Sequence, residues 1–158
     1  MKEMQLTQGK VALIDDEDFE RLNQFNWYAH RSGNNWYAVR SSSRINGKQT
    51  TIIMHREIMN TLLDMQVDHK NGNSLDNQKS NIRTCTHQQN QFNKINPQKN
   101  NKLGIKGVRW YEKTKKFHAR IGINGKYIHL GYYNVLGDAD SAYRIAEEKY
   151  FGEFARCN

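Results

Sequence analysis

The 158-residue chain has one proline, two cysteines and only sixteen acidic residues, and each scarcity removes a class of protein. No apolar run approaches the ~20 residues that a membrane-spanning helix needs, and the opening MKEMQLTQGK lacks the apolar core of a signal peptide. A cytoplasmic protein with no membrane partner is expected. Cys85 and Cys157 form no CxxC pair, so neither a disulfide framework nor a cysteine-built zinc ribbon is available, and both read as reduced thiols. Set against twenty-four Lys and Arg, the shortage of acids leaves a formal net charge of +8, which points to a polyanionic partner.

Hydrophobic residues make up 37% of the chain and fall in periodic aromatic and β-branched clusters, so a folded core is expected. The length suits one ordinary domain or two small ones. Charge is distributed unevenly. Residues 1 to 60 are nearly balanced, because Asp15, Asp16, Glu17, Asp18 and Glu20 offset scattered Arg and Lys. From 99 to 132, Lys99, Lys102, Lys106, Arg109, Lys113, Lys115, Lys116, Arg120 and Lys126 face the single acid Glu112. Trp110, Tyr111, Phe117, Tyr127 and His129 interleave with these cations, a pattern that suits a nucleic-acid surface.

Hydrophobic spacing gives an α+β reading. KVALI predicts a strand, and DDEDFERLNQF an acidic helix with Phe19, Leu22 and Phe25 on one face. NWYAHRSGNNWYAVRSSS predicts a hairpin around Gly33-Asn34, and RINGKQTTIIM a second around Asn46-Gly47. HREIMNTLL predicts a brief helix, SNIRTC a returning strand, and THQQNQFNK a helix capped by Thr86. The boundaries that follow are a unit over 1–95, with a β-rich leader over 1–54 and a core near 64–95, a linker over 96–104 and a second unit over 105–158. In that second unit KGVRWY, KFHARIGI and KYIHLGYY alternate strictly. Val108, Trp110, Phe117, Ala119, Ile121, Ile128 and Leu130 share one parity, and Arg109, Tyr111, His118, Arg120, Tyr127 and His129 the other. Ala139, Ala142, Tyr143, Ala146 and Tyr150 recur at helical spacing to cover the apolar face. A three-stranded antiparallel sheet backed by one helix results, its open face basic and aromatic.

The stretch VDHKNGNSLDNQKSNIRTCTHQQNQFN carries candidate chemistry. Cleaving a phosphodiester requires a nucleophilic water, a base and a cation for the developing charge. Neutral His69 suits the base at pH 7, and Asp68 offers a hard oxygen for a divalent metal. Neighbouring side chains on a strand point to opposite faces, so a shared site requires the strand to end or bulge there, and Asn71-Gly72 signals such an end. Asn90 lies one turn into the following helix, able to face Asp68. His87 on the same helix competes for that role, His55 reads as a packed structural residue or a phosphate contact, and Asn71, Asn73 and Asn77 read as turn residues.

Two resemblances attach to these residues. KGVRWY, FHARI, IHLGYY and the alanine-rich helix, roughly residues 104 to 155, resemble the plant ethylene-response-factor (Apetala-type) DNA-binding domain. That family lays its sheet in the major groove, which implies double-stranded DNA as the partner. Independently of the resemblance, a basic sheet face of this kind makes Arg109 and Arg120 the guanine-reading candidates and Lys115, Lys116 and Lys126 the phosphate contacts, with Tyr111, His118, Tyr127 and His129 on the same face. Arg120 and His129 stand where the plant domains carry glutamate and tryptophan, so the plant target sequence does not transfer. Residues 52 to 95 resemble the HNH nuclease family, whose ββα-metal unit carries Asp-His on its first strand, a central asparagine and a polar ligand on the helix. The leader LTQGKVALIDDEDFERLNQFNWYA resembles that of phage members.

This resemblance implies His69 as general base, Asp68 and Asn90 as metal ligands and Asn81 as the residue bracing the loop. An amide oxygen beside a carboxylate suits Mg2+ or Mn2+ rather than zinc. A metal-dependent homing-type DNA endonuclease, nicking one strand in the cytoplasm of a phage host, is the implied function. The other reading is a DNA-binding transcriptional regulator with an inactive HNH scaffold. No element suggests a protein partner.

Overall fold

The computed structural model describes residues 1–93 and 101–155. It is a mixed α+β protein with four small sheets and four α-helices among those residues, and the chain separates into two compact units, Met1–Asn90 and Gln91–Asn158. Of the expected linker, 96–100 lies outside the described residues. Asn101, within it, donates its Nδ2 to the carbonyls of Ile105 at 2.5 Å and Val108 at 3.1 Å.

In the amino-terminal unit, β1 (Lys2–Gln5) pairs antiparallel with β2 (Val11–Ile14), whose alternation turns Ala12 and Ile14 inward. Helix α1 (Asp16–Leu22) follows, with Asp16, Glu17 and Asp18 in its first turn, where the helix dipole favours anions. It buries Leu22, whose carbonyl accepts from Trp27 Nε1 at 2.8 Å. Phe25, expected on the helix face, lies beyond the helix end and is 41% exposed. Strands β3 (Tyr28–Ser32), β4 (Asn35–Ser41) and β5 (Thr51–Ile53) form a sheet in that order, the first pair turning at Gly33-Asn34. The second expected hairpin shrinks to one bridge, Ile45 to Lys48, around Asn46 and Gly47 at positive φ, because β5 pairs with β4. Helix α2 (Met54–Met59) stops where Asn60 adopts φ 46°, leaving Leu62 and Leu63 outside the helix and exposed. Antiparallel β6 (Gln66–His69) and β7 (Ile82–Cys85) lead to α3 (His87–Phe92). Thr86 caps α3 reciprocally: Gln89 N–H donates to Thr86 Oγ1 at 3.2 Å and Thr86 N–H to Gln89 Oε1 at 2.8 Å. Ile14, Leu22, Met54 and Ile82 sit in one core with Trp27 and Val67, and each such aliphatic residue contributes roughly 1.5–3 kcal/mol by leaving water.

In the carboxy-terminal unit, β8 (Val108–Tyr111), β9 (Lys116–Ile123) and β10 (Lys126–Tyr133) form an antiparallel sheet in the order β10-β9-β8, backed by α4 (Leu136–Phe151). Val108, Ala119 and Ile121 are buried on the sheet, and Ala139, Tyr143, Ala146 and Phe151 on the helix. Tyr150 is 41% exposed instead of covering the sheet, because the buried stripe runs in steps of four through Tyr143, Glu147 and Phe151. Lys106 Nζ, 2.6 Å from Glu147, compensates the one charge in that stripe. Trp110, expected on the covered side, is 43% exposed and packs edge-on against Phe117. Gly107, at φ +74°, has Tyr143 against it, and a Cβ there would meet that ring and lie 2.8 Å from the Arg120 carbonyl oxygen.

Candidate active site and nucleic-acid interface

Strands β6 and β7 bracket a loop over residues 70–81 that is fastened to β2. Leu13 N–H donates to Leu75 O at 2.9 Å, and Leu13 O accepts from Asn77 N–H at 2.8 Å. Asn71 and Asn73 make successive turns, each side-chain oxygen accepting the amide two residues on, at 2.8 and 3.1 Å. Asn81 is 8% exposed and spans the loop: its Oδ1 accepts Asn71 N–H at 3.0 Å and its Nδ2 donates to Asp76 O at 2.8 Å.

The strand runs regularly through both Asp68 and His69, which pair across the ladder with Arg83 and Ile82, so the expected strand end falls after His69. Alternation then sends the two side chains to opposite sides. Buried Asp68 meets Arg83, whose Nε and Nη2 donate to Asp68 Oδ2 at 2.9 and 2.7 Å. The antiparallel register places that cation opposite that anion.

His69 turns into the core side. It is 7% exposed, packs edge-on against His55 with ring centroids 5.0 Å apart, and its Nε2 lies 3.3 Å from Asn77 Oδ1. Asn77 is 1% exposed, so it is a core residue rather than a simple turn residue. Its Nδ2 donates to Leu75 O at 3.2 Å, which aims Oδ1 at His69. An acceptor there holds the neutral ring's proton on Nε2 and leaves the lone pair on Nδ1. Burial pushes the His69 imidazole below the usual histidine range against the opposing pull of Asn77 and of the Asp68 and Asp76 carboxylates. His55 is packed between Tyr37 and His69, and burial, with the nearby His69 and Arg56 as further causes, drives it down to about 3.

Gln66 and Asp68 stand two residues apart and share a strand face. Asn90 reaches the same side, its Nδ2 donating to Gln66 Oε1 at 2.8 Å. Gln66 Nε2 lies 3.1 Å from His87 Nδ1 and donates to it. His87 therefore spends that nitrogen on Gln66, and the Asn90 amide is oriented with its donor end on Gln66. Among the described residues no group of three His, Cys, Asp or Glu side chains could hold a metal ion. A carboxylate and an amide oxygen are hard donors of the kind a divalent cation that keeps several waters accepts, while the contacts made here are Asn90 with Gln66 and Asp68 with Arg83.

The second set of expected residues lies on the carboxy-terminal sheet. Cross-strand register puts Arg109 opposite His118, Tyr111 opposite Lys116, and Arg120 opposite His129, all on one face. Lys126 is exposed, Tyr127 is 63% exposed with the Arg120 guanidinium 3.9 Å above its ring, and Lys115 pairs with Glu112 in the turn. His118 differs from expectation: it is only 7% exposed, lying beneath its neighbours. A bulge between His129 and Gly131 shifts the parity of β10, so Tyr132 pairs with His118 and joins this face. Gly131 has φ 145°, and a Cβ there would lie 2.8 Å from the Tyr133 hydroxyl oxygen. Continuing the alternation past Leu130 would put Tyr132 on the covered side, and the Leu130-Gly131 step is where the register shifts. Tyr132, Arg83 and Asn77 are the site residues that sequence reasoning missed.

Residues 63–92, the segment that carries Asp68, His69, Asn81 and Asn90, match a family model described as HNH endonuclease. Over 150 residues the chain is 27% identical to an uncharacterized HNH endonuclease of Acanthamoeba polyphaga mimivirus, an alignment that covers 95% of this chain and 75% of that relative. No solved structure matches. The two matches support a nuclease.

Proposed function

We propose that the protein is a divalent-metal-dependent DNA endonuclease of the ββα-metal HNH type, homing-like and related to the phage group, with a carboxy-terminal sheet that reads double-stranded DNA. The observation that carries the reading is His69, buried, kept neutral and aimed by Asn77, adjacent in sequence to the paired carboxylate of Asp68 within the matched segment. A buried imidazole with its lone pair on Nδ1 accepts a proton from water at neutral pH. Asp68 and the Asn90 amide oxygen would hold Mg2+ or Mn2+ on the strand face opposite His69, supplying positive charge to the phosphate and the leaving oxygen. One site therefore forms only where the phosphate reaches both groups around the strand end after His69. Asn81 keeps the loop closed through Asn71 and Asp76, and so holds the strand ends that carry His69. Arg109, Tyr111, Lys115, Lys116, Arg120, Lys126, Tyr127 and His129 contact the duplex, with His118 supporting them from below. A single set of these residues per chain nicks one strand.

Incubation with supercoiled plasmid and Mg2+ tests this, the expected product being nicked circles. His69→Ala should abolish nicking and leave plasmid binding intact. Intact binding with no nicked or linear product under any metal would instead make the protein a DNA-binding regulator with an inactive scaffold.

A further inference from the structure

The face of the carboxy-terminal sheet holds a hydrogen-bonded file of three side chains whose protons are all determined. Arg109 Nε donates to His118 Nδ1 at 3.2 Å, and an arginine Nε–H has no acceptor role. Neutral His118 must then carry its proton on Nε2. That atom lies 2.8 Å from His129 Nδ1, so His118 donates and His129 accepts. With Nδ1 accepting from His118, His129 carries its proton on Nε2, the ring nitrogen not engaged in the file. Burial, with the neighbouring Arg109, His129 and Arg120, pushes His118 below the usual histidine range, which favours the neutral form of that buried ring. Tyr132 stacks on His118 with centroids 4.9 Å apart and lies 4.9 Å from His129, fixing both rings. His129 is exposed and His118 is not, so the file runs from a buried ring to a surface one.

A lone histidine offers either a donor or an acceptor at its outer nitrogen and so discriminates poorly between base edges. This one is restricted to a donor. In the major groove a donor is accepted by guanine N7 and O6, by adenine N7 and by thymine O4, and refused by the amino groups of cytosine and adenine. Arg120, across the ladder from His129, and Arg109 add positive charge beside it, which favours guanine, the base with two acceptors on that edge. We infer that His129 is a specificity residue that reads one guanine through Nε2–H, with its tautomer held by Arg109 and His118. The inference rests on the reading of this sheet as the duplex-binding surface. His118 is a positioning residue and does not itself touch the base.

The test uses the full-length protein in EDTA, which suppresses cleavage, and selection from a randomised duplex pool. The selected duplex is then rebuilt with 7-deazaguanine, which lacks N7, or 2-aminopurine, which lacks O6, at each enriched guanine. One guanine should lose roughly three- to ten-fold in wild-type affinity on such a change, the worth of one hydrogen bond. His129→Ala should bind the modified and unmodified duplexes equally. His118→Gln should keep the sensitivity, since its amide can accept from Arg109 and donate to His129, whereas His118→Phe keeps the stack and should lose it. Full sensitivity in His129→Ala or in His118→Phe overturns the inference while leaving the sheet as a DNA reader. A selection that enriches no base overturns both.

Discussion

Replacing Arg83 by methionine removes the cation that the β6–β7 register sets against the buried Asp68 carboxylate. The Asp68 side chain is 5% exposed and that of Arg83 11%, so neither water nor a second cation substitutes readily for the two N–H donors now 2.7 and 2.9 Å from Oδ2. Breaking a buried pair by deleting one partner costs roughly 3–5 kcal/mol, most of it the penalty for the charge left behind. Asp68→Asn with Arg83→Met removes both charges and should therefore cost less than the sum of the single changes, with a coupling of about 2 kcal/mol. Urea denaturation followed by tryptophan fluorescence measures this, since Trp27 is buried in the core of the same unit. Metal adds a second reading. If Asp68 holds Mn2+, the guanidinium competes with the ion. Mn2+ should then stabilise Arg83→Met more than wild type, approaching ~2.7 kcal/mol at a hundredfold excess over its dissociation constant. A cost under ~1 kcal/mol, or single changes that simply add to within ~0.5 kcal/mol, would refute the coupling.

Two more expectations concern the core side of the same strand. Asn77→Leu removes the acceptor that holds the His69 proton on Nε2, and nicking should fall by roughly 10- to 100-fold, as when an orienting partner is lost, with plasmid binding unchanged. Equal rates for the two proteins would refute the orienting role. His55, at about 3 in the folded chain against about 6.5 unfolded, takes up its proton on unfolding whenever the pH lies between those values. Stability of the amino-terminal unit should therefore be full above about pH 6.5 and decline by up to ~1.4 kcal/mol per unit as pH falls toward 3. Urea titrations at pH 7 and 5 should show this slope flattened in His55→Phe, and an unchanged slope in that variant would assign the loss to other groups.

What was legible in the sequence is what depends on neighbours a few residues apart. The Gly33-Asn34 turn, the Thr86 cap and the alternation of β9 are set by local φ preferences and side-chain period, so they survive whatever the rest of the chain does. The candidate positions Asp68, His69, Asn81 and Asn90 could be named for the same reason, since they are chemistry at short spacing. The surroundings of those positions were not legible. Arg83 meets Asp68 because β6 and β7 pair in one register across a twelve-residue loop, and a slip of one residue would send its side chain to the other face. Asn77 becomes an orienting core residue because β2, some sixty residues earlier, hydrogen-bonds the loop and presses it inward. Tyr132 reaches the basic face through one bulged residue, which reverses the parity that alternation assigns.

The sequence by itself determined the mixed α+β class, the basic aromatic sheet face and the order of the chemical residues, because composition and period act locally. Tertiary structure alone decided which atoms carry the protons. The proton on His69 follows from Asn77, and that on His129 from Arg109 through His118. A tautomer is fixed by the partner of the other ring nitrogen, and that partner is chosen by packing between segments that the sequence keeps apart.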